Sequence, residues 1–231
     1  NEPEDPIAAG LAQIQKDTIE QELKTLASDN MNGRLSGTAD NERAAQWIID
    51  QLQQVNVPPA RTAGYKQEFR LTRGPTADLN TANIIAKLEG SDPNLKDEYI
   101  IIGAHMDHAG TLSRGYTCSR GAAGSNPICN GADDNASGSI AVLNAAKALA
   151  KVRSQLKRSV LFIWFSGEEE GLLGSAHYVN RDPVVPIAKT AYMINLDMVG
   201  YMKSFGNRLG ALGGETNRQA AELMREIAKR F

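Results

Sequence analysis

Three short apolar runs, at residues 98–104, 159–165 and 191–196, each lead directly into a cluster of acidic or histidine residues. Uninterrupted apolar runs of this length are typical of strands buried on both faces of a sheet. Segments with apolar residues at helical spacing separate these runs, at residues 136–152 and 172–180. Strands that alternate with helices predict a three-layer α/β/α fold with a mostly parallel central sheet.

The flanking segments add further elements. Apolar periodicity predicts helices at residues 18–27, 41–55 and 215–229, and strands at residues 65–71 and 81–89. With 231 residues, the chain has enough material for one large core rather than two ordinary domains. We therefore treat residues 1–40 as a lead-in that belongs to the same domain as residues 41–231.

Charge and hydropathy exclude some classes of partner. The formal net charge is −2, which gives no electrostatic reason to expect nucleic acid or an anionic membrane surface. The apolar runs are all shorter than the ~18 residues that a bilayer span requires. We expect neither a nucleic-acid partner nor a membrane partner.

The two cysteines, Cys118 and Cys129, lie in a segment rich in glycine and serine. They are either free thiols or a disulfide that staples a loop with no core of its own. A disulfide would indicate a periplasmic or secreted protein. The chain starts at Asn1 rather than Met, which is consistent with a removed signal peptide.

The polar clusters lie where ligands bind in α/β sheets, beyond the carboxyl ends of the strands. So many carboxylates at one edge would repel one another and hold protons, a cost that a divalent cation removes. Histidine with carboxylates and no neighbouring cysteine suits zinc, or else cobalt or manganese. The residues themselves indicate a carboxylate-rich metal site.

The order and wording of four motifs resemble the di-zinc, or co-catalytic-zinc, aminopeptidases of the bacterial leucine aminopeptidase type, which are related to glutamate carboxypeptidase and glutaminyl cyclase. The motifs are Gly103-Ala-His-Met-Asp-His108, Gly131-Ala-Asp-Asp-Asn-Ala-Ser-Gly138, Ser166-Gly-Glu-Glu-Glu170 and Asn195-Leu-Asp-Met198. The resemblance covers essentially the whole chain, including the lead-in that ends at Arg34. It implies a phosphorylase/hydrolase-like zinc exopeptidase fold.

The resemblance also implies roles for individual residues. The implied metal ligands are His105, Asp134, Glu169 and Asp197. Asp134 would bridge two zinc ions, and the peptide bond that follows it would be cis. Glu168 would be the general base, and Asp107 would orient the imidazole of His105. His108 would be supporting or structural, and Asp133 would cap the following helix.

The family has a fifth ligand, a histidine on a strand near the C-terminus. This sequence has three histidines, and the last of them is His177. We therefore expect the chain to lack the last strand and helix of the fold and to associate with itself through the open sheet region. One zinc would keep His105, Asp134 and Glu169, whereas the other would keep only Asp134 and Asp197. Two, one or no zinc ions could then bind.

The implied activity is hydrolysis of the N-terminal peptide bond of peptides that have a free N-terminus. Two alternatives stay open. One is a single-zinc acyltransferase similar to the glutaminyl cyclases. The other is a catalytically impaired fragment, or a receptor-like module that kept the fold.

Overall fold

The computed structural model of the protein describes residues 5–114, 118, 126–201, 203, 206, 208, 210 and 217–229. The chain divides into two compact units, Asn1–Gly200 and Tyr201–Phe231. The strands of the first unit are β1 (Lys66–Arg70), β2 (Asn80–Leu88), β3 (Tyr99–His105), β4 (Ser159–Phe165) and β5 (Thr190–Asn195). Its helices are α1 (Pro6–Leu11), α2 (Lys16–Leu26), α3 (Ala39–Gln54), α4 (Gly138–Lys151) and α5 (Leu173–Asn180).

The second unit contains one described helix, α6 (Arg218–Ala228). It begins after Asn217, whose side chain accepts a hydrogen bond from the backbone N–H of Ala220 at 3.0 Å. None of the side chains of α6 is buried. The helix predicted from the sequence at residues 215–229 is confirmed at Arg218–Ala228, and residues 215 and 216 lie outside the described part of the chain.

The five strands form one mixed sheet in the order β1-β2-β4-β3-β5. The pairs β3–β4 and β3–β5 are parallel, whereas β1–β2 and β2–β4 are antiparallel. The parallel pairing predicted from the sequence is thus confined to the strands that alternate with helices. Strands β1 and β2 come before that alternation, and a turn joins them directly, which places them side by side in opposite directions.

Strand β4 is buried along its whole length and supplies both faces of the core. Val160, Phe162 and Trp164 pack with apolar residues of α2, α3 and α4 on one face of the sheet. Leu161, Ile163 and Phe165 pack with residues that include Tyr178 of α5 on the other face. Because alternate side chains of a strand point to opposite faces, this burial confirms the three-layer arrangement.

Strand β5 differs from its predicted environment. The sequence predicted a strand buried on both faces at residues 191–196, and the strand is present, but most of its side chains are exposed. Met193 and Ile194 are each 41% exposed. The prediction of burial is wrong because, among the described strands, β5 lies at the edge of the sheet and is paired with β3 alone.

The helices of the described residues are all too short or too polar to cross a membrane. The parallel strands all end at the same edge of the sheet, and the loops that follow them carry the acidic and histidine residues singled out above.

Candidate metal centre

The residues predicted to form the site come together at the carboxyl ends of β3, β4 and β5. His105 is the last residue of β3, and Glu168 and Glu169 lie in the turn between β4 and α5. Asp134 lies in a wide turn, Ala132–Ser137, that leads into α4. Asp197 follows the end of β5 by two residues.

His105 is the centre of this cluster. Its Nε2 atom lies 3.2 Å from Oδ1 of Asp134, 3.5 Å from Oδ1 of Asp197 and 3.9 Å from Oε2 of Glu168. Burial alone would lower the pKa of this imidazole, but the surrounding carboxylates, led by Asp107, raise the pKa to about 12. A positive charge is therefore favoured at this position, whether a proton or a metal ion carries it.

Three residues offer ligand atoms that all lie within 4.8 Å of one another: His105, Asp134 and Glu169. This is the set that the sequence assigned to one metal ion. Asp197, which the resemblance assigned to the other metal ion, also lies close to the same imidazole nitrogen. The distances thus place both Asp134 and Asp197 next to Nε2 of His105.

Asp107 is buried behind His105 and joins two of the motifs. Its Oδ2 atom accepts hydrogen bonds from the backbone N–H groups of Glu168, at 3.0 Å, and Glu169, at 3.4 Å. Its Oδ1 atom lies 3.7 Å from Nδ1 of His105 and, within the part of the chain that the structure describes, accepts no hydrogen bond. Asp107 therefore fixes the backbone of the glutamate pair through its carboxylate, and its backbone carbonyl lies 3.2 Å from Nδ1 of His105.

Glu168 has the environment of a base. Burial raises the pKa of its carboxyl group above the usual range, and nearby carboxylates reinforce this shift against the opposing charge of His105. For Asp134, in contrast, the hydrogen bond from His105 lowers the pKa in spite of burial. The two carboxylates thus differ in basicity, and Glu168 is the stronger base of the two.

The loops that carry Asp134 and Asp197 are bound to each other. Asn135 donates from Nδ2 to the carbonyl of Leu196 at 3.0 Å and accepts from the N–H of Met198 at 3.3 Å. Ser137 accepts from the N–H of Val199 at 3.0 Å. The Asp134–Asn135 peptide bond is cis, as the resemblance implied.

The start of α4 leaves no room for a larger side chain. A Cβ atom on Gly138 would lie 2.2 Å from the carbonyl oxygen of Leu196. The N–H of Gly138 donates to Oδ1 of Asn135 at 2.9 Å. The sequence had given the capping role to Asp133, which instead accepts from the N–H of Gly200 at 2.8 Å. The prediction for Asp133 was wrong because the segment after β5 occupies that position.

Arg34 is a site residue that the sequence analysis did not single out. It is fully buried, and its guanidinium donates to four backbone carbonyl oxygens at 2.7–2.9 Å. The acceptors are Leu26, Met106, Asn130 and Gly131. Burial lowers the pKa of Arg34 to about 10 against the effect of nearby carboxylates, so the group is still charged at neutral pH. The hydrogen bonds of Arg34 therefore fix the loop after β3 and the loop before Asp134 relative to each other.

A buried polar network fixes the turn that presents Glu168. The hydroxyl of Ser166 lies 2.8 Å from that of Thr81 and donates to Oδ1 of Asn41 at 3.0 Å. The hydroxyl of Ser36 accepts from the N–H of Gly167 at 2.7 Å. The sequence gave no signal for this network, because its members come from distant segments and are individually ordinary polar residues.

A cavity of about 170 Å³ opens beside the cluster. Its lining combines the polar residues His105, Glu168 and Asp197 with the apolar side chains of Phe165, Leu172 and Met193. A larger, more open groove of about 530 Å³, lined by residues that include Arg61 and Asp182, contains none of the predicted site residues. The smaller cavity is therefore the candidate substrate site.

Cys118 and Cys129 form a disulfide, with their Cα atoms 5.2 Å apart. The N–H of Cys129 donates to the carbonyl of Gly110 at 2.8 Å. Of the two possibilities that the sequence left open, the disulfide is confirmed. It fixes the end of the segment that leads into Asn130 and Gly131, where Arg34 binds.

A histidine and several carboxylates at the carboxyl edge of a three-layer α/β fold define a protein with a candidate metal site in the usual ligand-binding position of such folds. Residues 83–231 match the family model described as Peptidase family M28, and the chain belongs to that family.

Individual relatives agree with this assignment. The chain is 28% identical over 226 residues to a probable leucine aminopeptidase of Arthroderma otae, covering 96% of this chain and 55% of the fungal protein. The chain thus spans about half the length of that relative.

Two solved structures share the fold. A Zn-dependent exopeptidase from Parabacteroides distasonis matches with a TM-score of 0.61 and 22% identity, covering 80% of this chain and 62% of that one. A Porphyromonas gingivalis glutaminyl cyclase matches with a TM-score of 0.63 and 24% identity, covering 81% and 62%. At these identities the likeness establishes the fold alone.

Proposed function

We propose that the protein is a zinc-dependent exopeptidase that hydrolyses the N-terminal peptide bond of peptides, that is, an aminopeptidase. The observation that carries this proposal is the convergence of Asp134 and Asp197 on Nε2 of His105, with Glu168 at the rim of the same cluster. Membership of Peptidase family M28 and the names of the relatives support it.

The donor set fits zinc. Two ligands that bind a tetrahedral zinc ion at about 2.1 Å lie roughly 3.4 Å apart. Nε2 of His105 lies 3.2 Å from Oδ1 of Asp134 and 3.5 Å from Oδ1 of Asp197, so each of these carboxylates lies at ligand-to-ligand distance from His105. Glu169, whose ligand atom lies within 4.8 Å of those of His105 and Asp134, would hold a second ion together with Asp134.

The free Oδ1 of Asp107 supports the same assignment. A carboxylate that faces Nδ1 of a metal-binding histidine orients the ring and fixes its tautomer. Nδ1 of His105 lies 3.2 Å from the backbone carbonyl oxygen of Asp107, its hydrogen-bond partner, and 3.7 Å from Oδ1 of the same residue. We assign Asp107 to this orienting role.

Glu168 would act as the general base. When bound, zinc would supply a Lewis acid that polarises the scissile carbonyl and acidifies a water molecule. Glu168, with its raised pKa, would take a proton from the attacking water and deliver it to the leaving amine. Asp107 would hold the Glu168 backbone in place through the hydrogen bond to its N–H group.

The size of the cavity favours an exopeptidase. Sites that enclose a whole drug-sized ligand have volumes of roughly 300–1,000 Å³. The cavity beside His105 has about 170 Å³, which is below this range and favours a terminal part of a peptide over an extended one. The names of the relatives favour the amino end, so the proposed substrates are peptides with a free N-terminus.

The disulfide supports a periplasmic or secreted location, because such bonds persist in oxidising compartments. We propose this location for the protein. Self-association through the exposed edge strand β5 is a further proposal, which the exposure of Met193 and Ile194 supports.

An assay of three substrate types tests the proposed activity. The protein should release nitroaniline from aminoacyl-nitroanilides, lose this activity on dialysis against a chelator and regain it with zinc. N-acetylated versions of the same substrates should not be cleaved. Cyclisation of an N-terminal glutamine without hydrolysis would identify a glutaminyl-cyclase-like enzyme instead. Zinc binding without either reaction would favour a receptor-like module.

A further inference from the structure

His108 has no role in the site described so far, although it lies in the loop that follows His105, the last residue of β3. Its Nδ1 atom lies 2.6 Å from Oε1 of Glu169. Its side chain is 15% exposed and that of Glu169 is 21% exposed, so solvent competes only weakly for this contact. His108 is not among the residues whose ligand atoms cluster within 4.8 Å in the described part of the chain.

The position of this ring is built into the fold. The backbone N–H of His108 donates to the carbonyl of Arg34 at 3.3 Å, and Arg34 is itself fully buried. The imidazole packs on Gly131, where a Cβ atom would lie 2.5 Å from two ring carbons. Gly131 also has a φ of +57°, a conformation that most other residues rarely adopt. The loop therefore leaves a space that the His108 ring fills.

The chemistry of the pair fixes which atom donates. An ionised carboxylate only accepts hydrogen bonds, so Nδ1 of His108 carries the proton and donates to Oε1 of Glu169. A carboxylate with one oxygen held in this way keeps the other oxygen, Oε2, for a cation. The two histidines thus have different carboxylate partners: Nε2 of His105 faces Asp134 and Asp197, whereas Nδ1 of His108 faces Glu169.

We propose that His108 is a positioning residue for the metal site, which orients the Glu169 carboxylate so that one oxygen is directed to the cation. This inference rests on the proposed function, since it takes Glu169 as a ligand. It adds a role for a side chain that is neither a ligand nor the base. Removal of such an outer partner typically costs about 10- to 100-fold in metal affinity.

Two variants of nearly identical shape test the proposal. His108→Asn keeps an N–H donor close to the position of Nδ1, whereas His108→Leu has the same branching without a donor. Zinc affinity is measured by competition with a chromophoric chelator, and the thermal midpoint is measured on the metal-free protein. His108→Leu should weaken zinc binding by about 10- to 100-fold. His108→Asn should stay within about 5-fold of wild type, because it restores a single hydrogen bond.

A double variant shows whether His108 acts through Glu169. If it does, adding His108→Leu to Glu169→Gln should weaken zinc binding no further than Glu169→Gln alone. His177→Leu, a change in a histidine that stacks on Phe69 away from the cluster, is the matched control and should leave zinc affinity unchanged.

The outcomes separate the inference from the proposed function. Zinc binding by wild type with equal affinity in His108→Leu would overturn the inference alone. Additive losses in the double variant would likewise overturn it, because His108 would then act independently of Glu169. A wild-type protein that binds no zinc would overturn both the inference and the proposed metal site.

Discussion

The two sides of the candidate site are held by different means. On the β3 side, the side chains of His105 and Asp107 are 4% and 1% exposed. On the β5 side, the side chains of Asp134 and Asp197 are 38% and 43% exposed. The first pair is fixed by the protein interior, whereas the second depends on hydrogen bonds between two loops. The buried side should therefore contribute most to the stability of the site, whereas the exposed side should be the one that substrate reaches.

The strands show the same contrast. Both β4 and β5 are short and apolar in sequence, yet β4 is buried throughout and β5 is mostly exposed. β4 has a strand on each side, β2 and β3, whereas β5 lies at the end of the order. A run of apolar residues thus predicts a strand, but its burial depends on its place in the sheet.

The largest loss of stability is expected on the buried side, at Arg34. Arg34→Met removes the donor for four backbone carbonyls, two of them buried and two part-buried, so the free energy of unfolding should fall by about 4 kcal/mol. Urea unfolding followed by circular dichroism measures this change. Arg34→Lys keeps the charge but not the planar set of donors, so its free energy of unfolding should lie between those of the wild type and Arg34→Met.

Arg43 is the matched control for Arg34. Its side chain is 49% exposed and pairs with Asp40 on the surface of α3. Arg43→Met should cost less than about 1 kcal/mol, because exposed ion pairs contribute little. Similar losses for Arg34→Met and Arg43→Met would contradict the idea that the buried arginine organises the site.

A smaller difference in the loss of stability is expected between variants of β4 and variants of β5. Ile163 on β4 is fully buried, and Ile163→Ala should lower the free energy of unfolding by about 3 kcal/mol. Ile194 on β5 is 41% exposed, and Ile194→Ala should cost less than about 1 kcal/mol. The same urea titration compares them. A loss at Ile194 equal to that at Ile163 would show that β5 is buried in solution, for example by self-association.

Much of the fold could be predicted from local patterns. The predicted strand at residues 159–165 has the bounds observed for β4, and the predicted helix at residues 41–55 became α3 at Ala39–Gln54. These elements are set by the periodicity of apolar side chains, which the sequence displays directly. The carboxyl-edge rule then brought His105, Glu168 and Asp197 to one place without any knowledge of their distances.

The supporting residues could not be predicted in this way. Arg34 binds backbone carbonyls, which every residue type possesses, so nothing in the sequence marks its partners. Ser166 meets Asn41 and Thr81 only after the chain has folded, across 125 and 85 residues. His108 was left without a definite role because its contact with Glu169 spans two motifs. Such contacts depend on tertiary geometry rather than on local spacing.

The central claim is that the neighbouring glutamates divide the work, with Glu168 as the base and Glu169 as a ligand. The most direct test measures the zinc content and peptidase activity of Glu168→Gln and Glu169→Gln side by side. Glu168→Gln should lose at least about 100-fold in kcat and keep its zinc, because a base but no ligand is removed. Glu169→Gln should show both a reduced zinc content and a loss of activity. Loss of zinc from Glu168→Gln, with activity retained in Glu169→Gln, would contradict the account.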